Sequence, residues 1–270
     1  MRLTIIGCSG SFPGPDSPAS CYLLSADDAD GRTHHVVLDL GNGALGVLQQ
    51  HLPLGRLDGV FLSHLHPDHC LDLCGLYVAQ RYDPAGVRPP IPVWGPSGTH
   101  ERLAAAYGDV DAFGMGREFT FTDWTVGEPV RLGPFVVTPY PAWHPVEAYG
   151  LRVEADGAVL AYSGDTDSTD SLSPLFADAT LVLADAAFVE GRDLGRGIHL
   201  TGRRAAEAAL AAGGVQRLML THIPAWNDPE RCRADAAAVW PGEVELATPG
   251  AVYELWGPGY DRDHASSRRP

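Results

Sequence analysis

Ser63-His64-Leu65-His66-Pro67-Asp68-His69 sets three imidazoles and a carboxylate side by side, directly after the apolar run Gly59 to Leu62. A strand that ends in such a loop carries polar side chains to the rim of a rigid sheet. In extended backbone, residues two apart point the same way, so His64 and His66 can converge on one ion. Asp68 and His69 fall where a helix is expected to begin and can turn toward a second ion beside the first. Imidazole nitrogen and carboxylate oxygen are the donors that zinc accepts in catalytic sites. The plainer alternative is a run of surface histidines with Asp68 as a helix N-cap, and it leaves this density of ligands without a reason.

A metal site needs ligands from elsewhere in the chain. His144, Asp165 and His222 are the candidates, because each follows a predicted strand: Phe135 to Tyr140, Val159 to Ser163 and Val215 to Leu220. Further strands are expected at Arg2 to Gly7, His34 to Leu40 and Leu181 to Ala184. Helical periodicity marks Ala44 to Gln50, Leu71 to Gln80, Thr99 to Tyr107, Gly202 to Ala212 and Pro229 to Val239. The fourth of these opens on Thr201 as N-cap and closes at Gly213-Gly214. The class is α/β. Strand-rich halves on either side of residue 125 suit two stacked sheets with helices outside. With no repeat or linker in view, residues 1–260 read as a single domain and 261–270 as a polar, frayed tail.

Nineteen Lys and Arg against 34 Asp and Glu leave a net charge of −15. That surplus argues against a broad electrostatic grip on nucleic acid or anionic lipid. No apolar run approaches the roughly 20 residues of a membrane span. Leu3 to Cys8 has the outline of a lipoprotein cleavage box without the apolar stretch before it, and reads as a first buried strand. Cys8, Cys21, Cys70, Cys74 and Cys232 are odd in number and lack paired spacing, which suits a reducing cytoplasm. Cys70 and Cys74, expected one helical turn apart, read as small buried residues. Gly7 to Gly14 is not a nucleotide fingerprint, since no helix pattern follows it.

These residues together resemble the metallo-β-lactamase superfamily, across almost the whole chain. The resemblance implies a four-layer αββα sandwich holding two divalent ions, zinc first, with manganese or iron accepted by the same donors. It assigns His64, His66 and His144 to one ion, Asp68, His69 and His222 to the other, and Asp165 in Ser163-Gly164-Asp165-Thr166 to both. Asp39 in Leu38-Asp39-Leu40-Gly41-Asn42-Gly43 matches the motif whose carboxylate orients the ligands. Two divalent ions, less the charges of Asp68, Asp165 and a shared hydroxide, leave a locally positive centre in an acidic protein. Such a centre suits a small anionic phosphodiester.

Two further loops resemble those of the RNase Z branch, the tRNA 3′-end nucleases. His199-Leu200-Thr201 is similar to a His-Ser-Thr loop, and Asp185-Ala186-Ala187-Phe188 to a His-Glu-Ala-Thr loop in which Asp replaces the longer Glu. The resemblance implies catalytic roles for His199, Asp68 and Asp185, with His199 protonating the leaving oxygen and Asp185 orienting it. Two departures set the chain apart from the nuclease. Pro13-Gly14-Pro15-Asp16-Ser17-Pro18 stands where a basic substrate loop is expected, and the interval from His144 to Asp165 leaves no room for a tRNA-gripping arm.

The narrower resemblance is to actinobacterial cyclic-nucleotide phosphodiesterases of an atypical class II type. It rests on Gly7-Cys8-Ser9-Gly10-Ser11, Gly14-Pro15-Asp16-Ser17-Pro18-Ala19-Ser20, Cys70-Leu71-Asp72-Leu73 and Thr221-His222-Ile223-Pro224-Ala225-Trp226. It implies hydrolysis of 3′,5′-cyclic AMP to the 5′-monophosphate. A substrate with one charge and one base needs an aromatic or apolar wall, and Phe12, Trp143 and Trp226, which adjoin motif residues, are candidates for it, with simple core residues as the plainer alternative. The rivals are an RNA 3′-end nuclease, a glyoxalase-type thioesterase and a catalytically idle nucleotide-sensing module. The expected protein is cytoplasmic, without membrane or strong nucleic-acid partners, and a homodimer stays open.

Overall fold

The computed structural model describes residues 1–108 and 114–257, so the expected frayed tail at 261–270 lies outside the described residues. One mixed sheet contains β1 (Arg2–Gly7), β2 (Cys21–Asp27), β3 (Thr33–Leu38), β4 (Gly59–Phe61), β5 (Ile91–Gly95) and β6 (Phe119–Asp123). The other contains β7 (Val130–Leu132), β8 (Phe135–Pro141), β9 (Tyr149–Ala155), β10 (Ala158–Tyr162), β11 (Leu181–Asp185), β12 (Leu218–Thr221) and β13 (Val244–Leu246). The chain changes sheet between β6 and β7, near the expected residue 125, and β14 (Val252–Glu254) returns to pair antiparallel with β1.

The two sheets face each other across Leu3, Ile5, Tyr22, Leu24, Phe61, Phe135, Leu151, Leu160 and Leu183. The outer face of the first is covered by α1 (Ala44–His51), α3 (Leu73–Arg81) and α4 (Thr99–Tyr107), through residues such as Leu48, Leu76 and Leu103. The second is covered by α5 (Leu172–Phe176), α6 (Gly202–Ala212) and α7 (Pro229–Ala237). The result is the αββα sandwich. β11 is buried along its whole length because both its faces are covered, which explains why it reads as a continuous apolar run rather than an alternation. Thr201 caps α6, its hydroxyl accepting from the Arg204 backbone N–H, an interaction worth about 1 kcal/mol.

A helix does begin where Asp68 and His69 fall: α2 (Pro67–Cys70) starts after His66, with Pro67 presetting its first turn and Asp68 inside it, so the plainer alternative of Asp68 as N-cap does not hold. One expectation needs correction. The expected helix from Leu71 starts instead at Leu73, because the chain bends where the Asp72 N–H donates to the Leu40 carbonyl. Cys70 and Cys74 therefore sit on separate helices.

The ends of the expected strands carry the candidate ligands. β4 leads into residues 63–69, β8 into His144, β10 into Asp165 and β12 into His222. β9 and β10 form a tight hairpin pairing Ala155 with Ala158, which takes up the interval between His144 and Asp165.

Candidate metal centre

Asp39 is the anchor of the site. It is fully buried and its backbone takes the left-handed φ of 59°, a strained conformation for a residue other than glycine. Its Oδ1 accepts from the Ser63 N–H at 2.7 Å. Its Oδ2 accepts from Ser63 Oγ at 2.8 Å and Tyr162 OH at 2.7 Å, and lies 2.8 Å from His69 Nδ1. One carboxylate on the first sheet thus fixes a ligand, the loop that bears it and a tyrosine from the second sheet. Gly41 lets that loop lie flat on the ligand segment, since a Cβ there would meet the Asp68 carbonyl oxygen at 1.9 Å.

The structure brings His64, His66 and His144 together in one group and Asp68, His69, Asp165 and His222 in another, with the donor atoms of each group within 4.8 Å of one another. Asp165 reaches toward both, its Oδ2 3.6 Å from His64 Nε2 and 3.4 Å from His222 Nε2. Hydrogen bonds on the far side of the rings show that the first group fits a cation. Ser63 Oγ donates to Asp39, so at 3.0 Å it accepts from His64 Nδ1. His144 Nδ1 donates to the Ile198 carbonyl at 2.8 Å. The Nε2 lone pairs of both rings then face His66 Nδ1, at 3.0 and 3.2 Å. A proton on His66 serves one of them, whereas a cation serves all three. In the second group, buried Asp165 Oδ1 lacks a well-formed hydrogen bond and faces His69 Nε2 at 3.3 Å, which again suits a cation.

The charges differ between the groups. Burial pushes His64, His66 and His144 down from the ordinary histidine value, keeping them neutral and able to coordinate. Burial also disfavours charge on His69 and His222, but the carboxylates around them outweigh it. His69 is held well above its usual value by Asp165 and Asp39, and His222 is pushed up to about 10 by Asp165, Asp185 and Asp68. Asp68 and Asp165 lose solvation on burial, yet the adjoining histidines hold both far below the carboxylate range. These carboxylates are anionic near neutrality, as cation binding requires.

His199 completes the cluster. Its Nδ1 lies 2.9 Å from Asp185 Oδ2, and its ring centre is 5.5 Å from that of His144 and 5.2 Å from that of His222. The shorter Asp side chain therefore reaches His199. Asp185 is steadied by the N–H groups of Ala187 at 2.9 Å and Thr166 at 3.3 Å. Burial lowers the His199 pKa, but Asp185 more than offsets this and the net shift is upward.

Sequence reasoning did not single out Ser63, Tyr162 or Asp167. Ser63 stood in the ligand segment and Tyr162 at a strand end next to Ser163, but neither position announces a partner. Asp167 is buried and accepts from Arg196 Nε at 2.6 Å, the Gly197 N–H at 2.8 Å and Arg204. It thereby secures the segment whose Ile198 carbonyl orients His144 and whose next residue is His199. The Arg196 guanidinium lies 5.7 Å from the Trp143 ring centre. Cys70 and Cys74 are raised by burial, Cys70 to about 12, so neither offers a thiolate near neutrality. A cavity of about 340 Å³ opens beside His66, bordered by Leu65, Pro96, Arg102 and Val146.

Residues 34–223 match the family model described as the beta-lactamase superfamily domain. The chain belongs to the metallo-β-lactamase superfamily. Within that superfamily it is similar to the uncharacterized protein Mb1374 of Mycobacterium bovis, 40% identical over 94% of this chain and 92% of the relative. The probable metallo-hydrolase YhfI of Bacillus subtilis is 30% identical over 94% of this chain and all of the relative. The YhfI crystal structure aligns at 28% identity with a TM-score of 0.81, covering 94% of this chain and 99% of that one. Ribonuclease Z of Mycobacterium bovis is 30% identical over 91% of this chain and 95% of the relative. The protein is a metallo-hydrolase of the RNase Z and YhfI-like family within that superfamily. Among the described residues no helix is long and apolar enough to cross a membrane.

Proposed function

We propose that this metallo-hydrolase is a phosphodiesterase opening 3′,5′-cyclic nucleotides, cyclic AMP among them, to 5′-monophosphates. The observation that carries the reading is the His199–Asp185 pair at 2.9 Å beside two adjoining groups of metal donors. Phosphodiester cleavage needs charge neutralised at phosphorus and a proton delivered to the leaving alkoxide. His64, His66 and His144 would hold one divalent ion, Asp68, His69 and His222 the other, and Asp165 would serve both. When bound, such ions supply a nucleophile at neutral pH and stabilise charge on the phosphoryl oxygens.

The remaining work falls to the chain's own side chains. Asp39 fixes the His69 tautomer, and the Ile198 carbonyl fixes that of His144, so each ring offers Nε2 to the centre. Asp185 accepts from His199 Nδ1, which leaves Nε2 to hold a proton for the leaving 3′ oxygen. Asp167 secures the backbone from which His144 is oriented and His199 projects.

A small substrate is favoured over tRNA by three features. The net charge is −15. The interval before Asp165 is filled by the β9–β10 hairpin. The residues from Pro13 to Pro18 include no Lys or Arg. The two Mycobacterium bovis relatives bear on the choice as well, since that species has a ribonuclease Z to which this chain is less similar than it is to Mb1374. The second reading, maturation of tRNA 3′ ends, is favoured by the 30% identity to ribonuclease Z. The deciding experiment assays the metal-loaded protein on cyclic AMP and on precursor tRNA at matched salt. We expect turnover of the first and little or no cutting of the second. Efficient, salt-sensitive tRNA cleavage would reverse the order.

A further inference from the structure

Phe12 and Trp226 form an exposed aromatic pair on the two loops that flank the metal donor His222. Trp226 is 65% and Phe12 37% exposed, and their ring centres are 4.8 Å apart with a 36° tilt. Large apolar rings left in water forgo burial, so a paired set at the mouth of a site calls for a reason.

Both rings are carried by loops tied to a metal donor. Ser11, adjacent to Phe12, places its N–H 3.2 Å from His222 Nε2, and Trp226 follows four residues after His222. The loops are strapped together and held in shape. The Gly10 N–H donates to the Ile223 carbonyl at 3.3 Å, and Ser9 Oγ donates to the Phe12 carbonyl at 2.8 Å. Asn227 anchors the other side, donating to the Ala187 carbonyl at 2.7 Å. The second exposed tryptophan, Trp143, differs: Arg196 lies over its ring, and its edge packs on Gly197, where a Cβ would meet Trp143 Nε1 at 2.7 Å. Trp226 has the open face.

We propose that the Phe12–Trp226 pair is the platform on which the nucleobase of the substrate stacks, with purines preferred to pyrimidines. The inference rests on the cyclic-nucleotide reading of the metal centre. A cyclic nucleotide whose phosphate lies between the two donor groups projects its base outward, and the two loops that flank His222 carry the aromatic pair on that donor's side of the site. Stacking on an aromatic face contributes about 1–3 kcal/mol per base, roughly tenfold or more in affinity, and increases with the area of the base. A two-ring purine covers an indole more fully than a pyrimidine does.

The test is steady-state kinetics on the metal-loaded wild type, Trp226→Ala, Trp226→Phe and Phe12→Ala. The substrates are cyclic AMP, cyclic CMP and the base-free 3′,5′-cyclic phosphate of 1-deoxyribose. In Trp226→Ala the ratio of kcat/KM for cyclic AMP to that for the base-free substrate should fall about tenfold, through KM, and the preference for cyclic AMP over cyclic CMP should shrink with it. Trp226→Phe should restore most of both, and Phe12→Ala should show a smaller loss of the same kind, which keeps the test alive if Trp226→Ala folds poorly. Ratios within twofold of wild type in both alanine variants, or equal losses on the base-free substrate, would overturn the platform. A wild type that turns over no cyclic nucleotide would overturn the substrate reading itself, so the two failures are told apart by which protein shows them.

Discussion

Replacing His199 by alanine separates proton delivery from metal binding. The ring is 8% exposed, with Nδ1 committed to Asp185 and the other nitrogen left for the substrate. Its loss removes a positioned general acid, typically worth 10²- to 10⁴-fold in kcat, or roughly 2.7 to 5.4 kcal/mol of transition-state stabilisation. It also leaves the buried Asp185 carboxylate with the Ala187 and Thr166 N–H groups and His222 Nδ1, 3.6 Å away, as partners, so thermal stability should fall, by less than the about 3–5 kcal/mol of a fully orphaned buried charge. The assay compares kcat on cyclic AMP, whose ribose alkoxide is a poor leaving group, with kcat on bis(p-nitrophenyl) phosphate, whose nitrophenolate departs unprotonated. We expect the first to fall by the full factor, the second by far less, and metal content to stay at the wild-type value. The pH profile gives an independent check. Asp185 is what raises the His199 pKa against the opposing effect of burial, and an acid loses activity as pH rises through its pKa. Asp185→Asn should therefore move the alkaline limb of kcat/KM to lower pH. Equal losses on both diesters would refute the acid role and leave His199 as a phosphate-binding or loop-supporting residue.

Two other perturbations follow from the same geometry. His69 and His222 hold protons that a cation must displace, while His64, His66 and His144 are pushed toward neutrality, so stepwise dialysis from about pH 8 to about pH 6 should release the ion at the Asp68, His69 and His222 group first. Elemental analysis showing simultaneous loss would contradict that order. Gly10→Ala places a Cβ 2.1 Å from the His222 carbonyl oxygen, so the loops must part; we expect about 1–3 kcal/mol lower stability by urea titration and weaker binding of that same ion, and unchanged values for both would be inconsistent with the close approach.

The candidate ligands and the phase of the scaffold were legible in the sequence by itself. His64, His66, Asp68 and His69 are contiguous, and strand geometry alone sorts their directions. The apolar runs before His144, Asp165 and His222 mark strand ends because β-periodicity is a local property. Thr201 and the Gly213-Gly214 pair bound α6 for equally local reasons. Strands such as β5 and β6 were harder to see: β5 has Pro92 in its middle, and β6 exposes most of its residues at a sheet edge. Tertiary structure alone decided what meets across the chain. The contact between His222 and Asp68 spans 154 residues, and that between Asp39 and Tyr162 spans 123. Neither distance is set by any local preference; both follow from how two sheets pack and which strand ends then share a rim. The same holds for Asp167 beneath the His199 segment and for the Phe12–Trp226 pair. Their partners lie on separate loops, and the hydrogen bonds and ring contacts that define them exist only once the sandwich has closed.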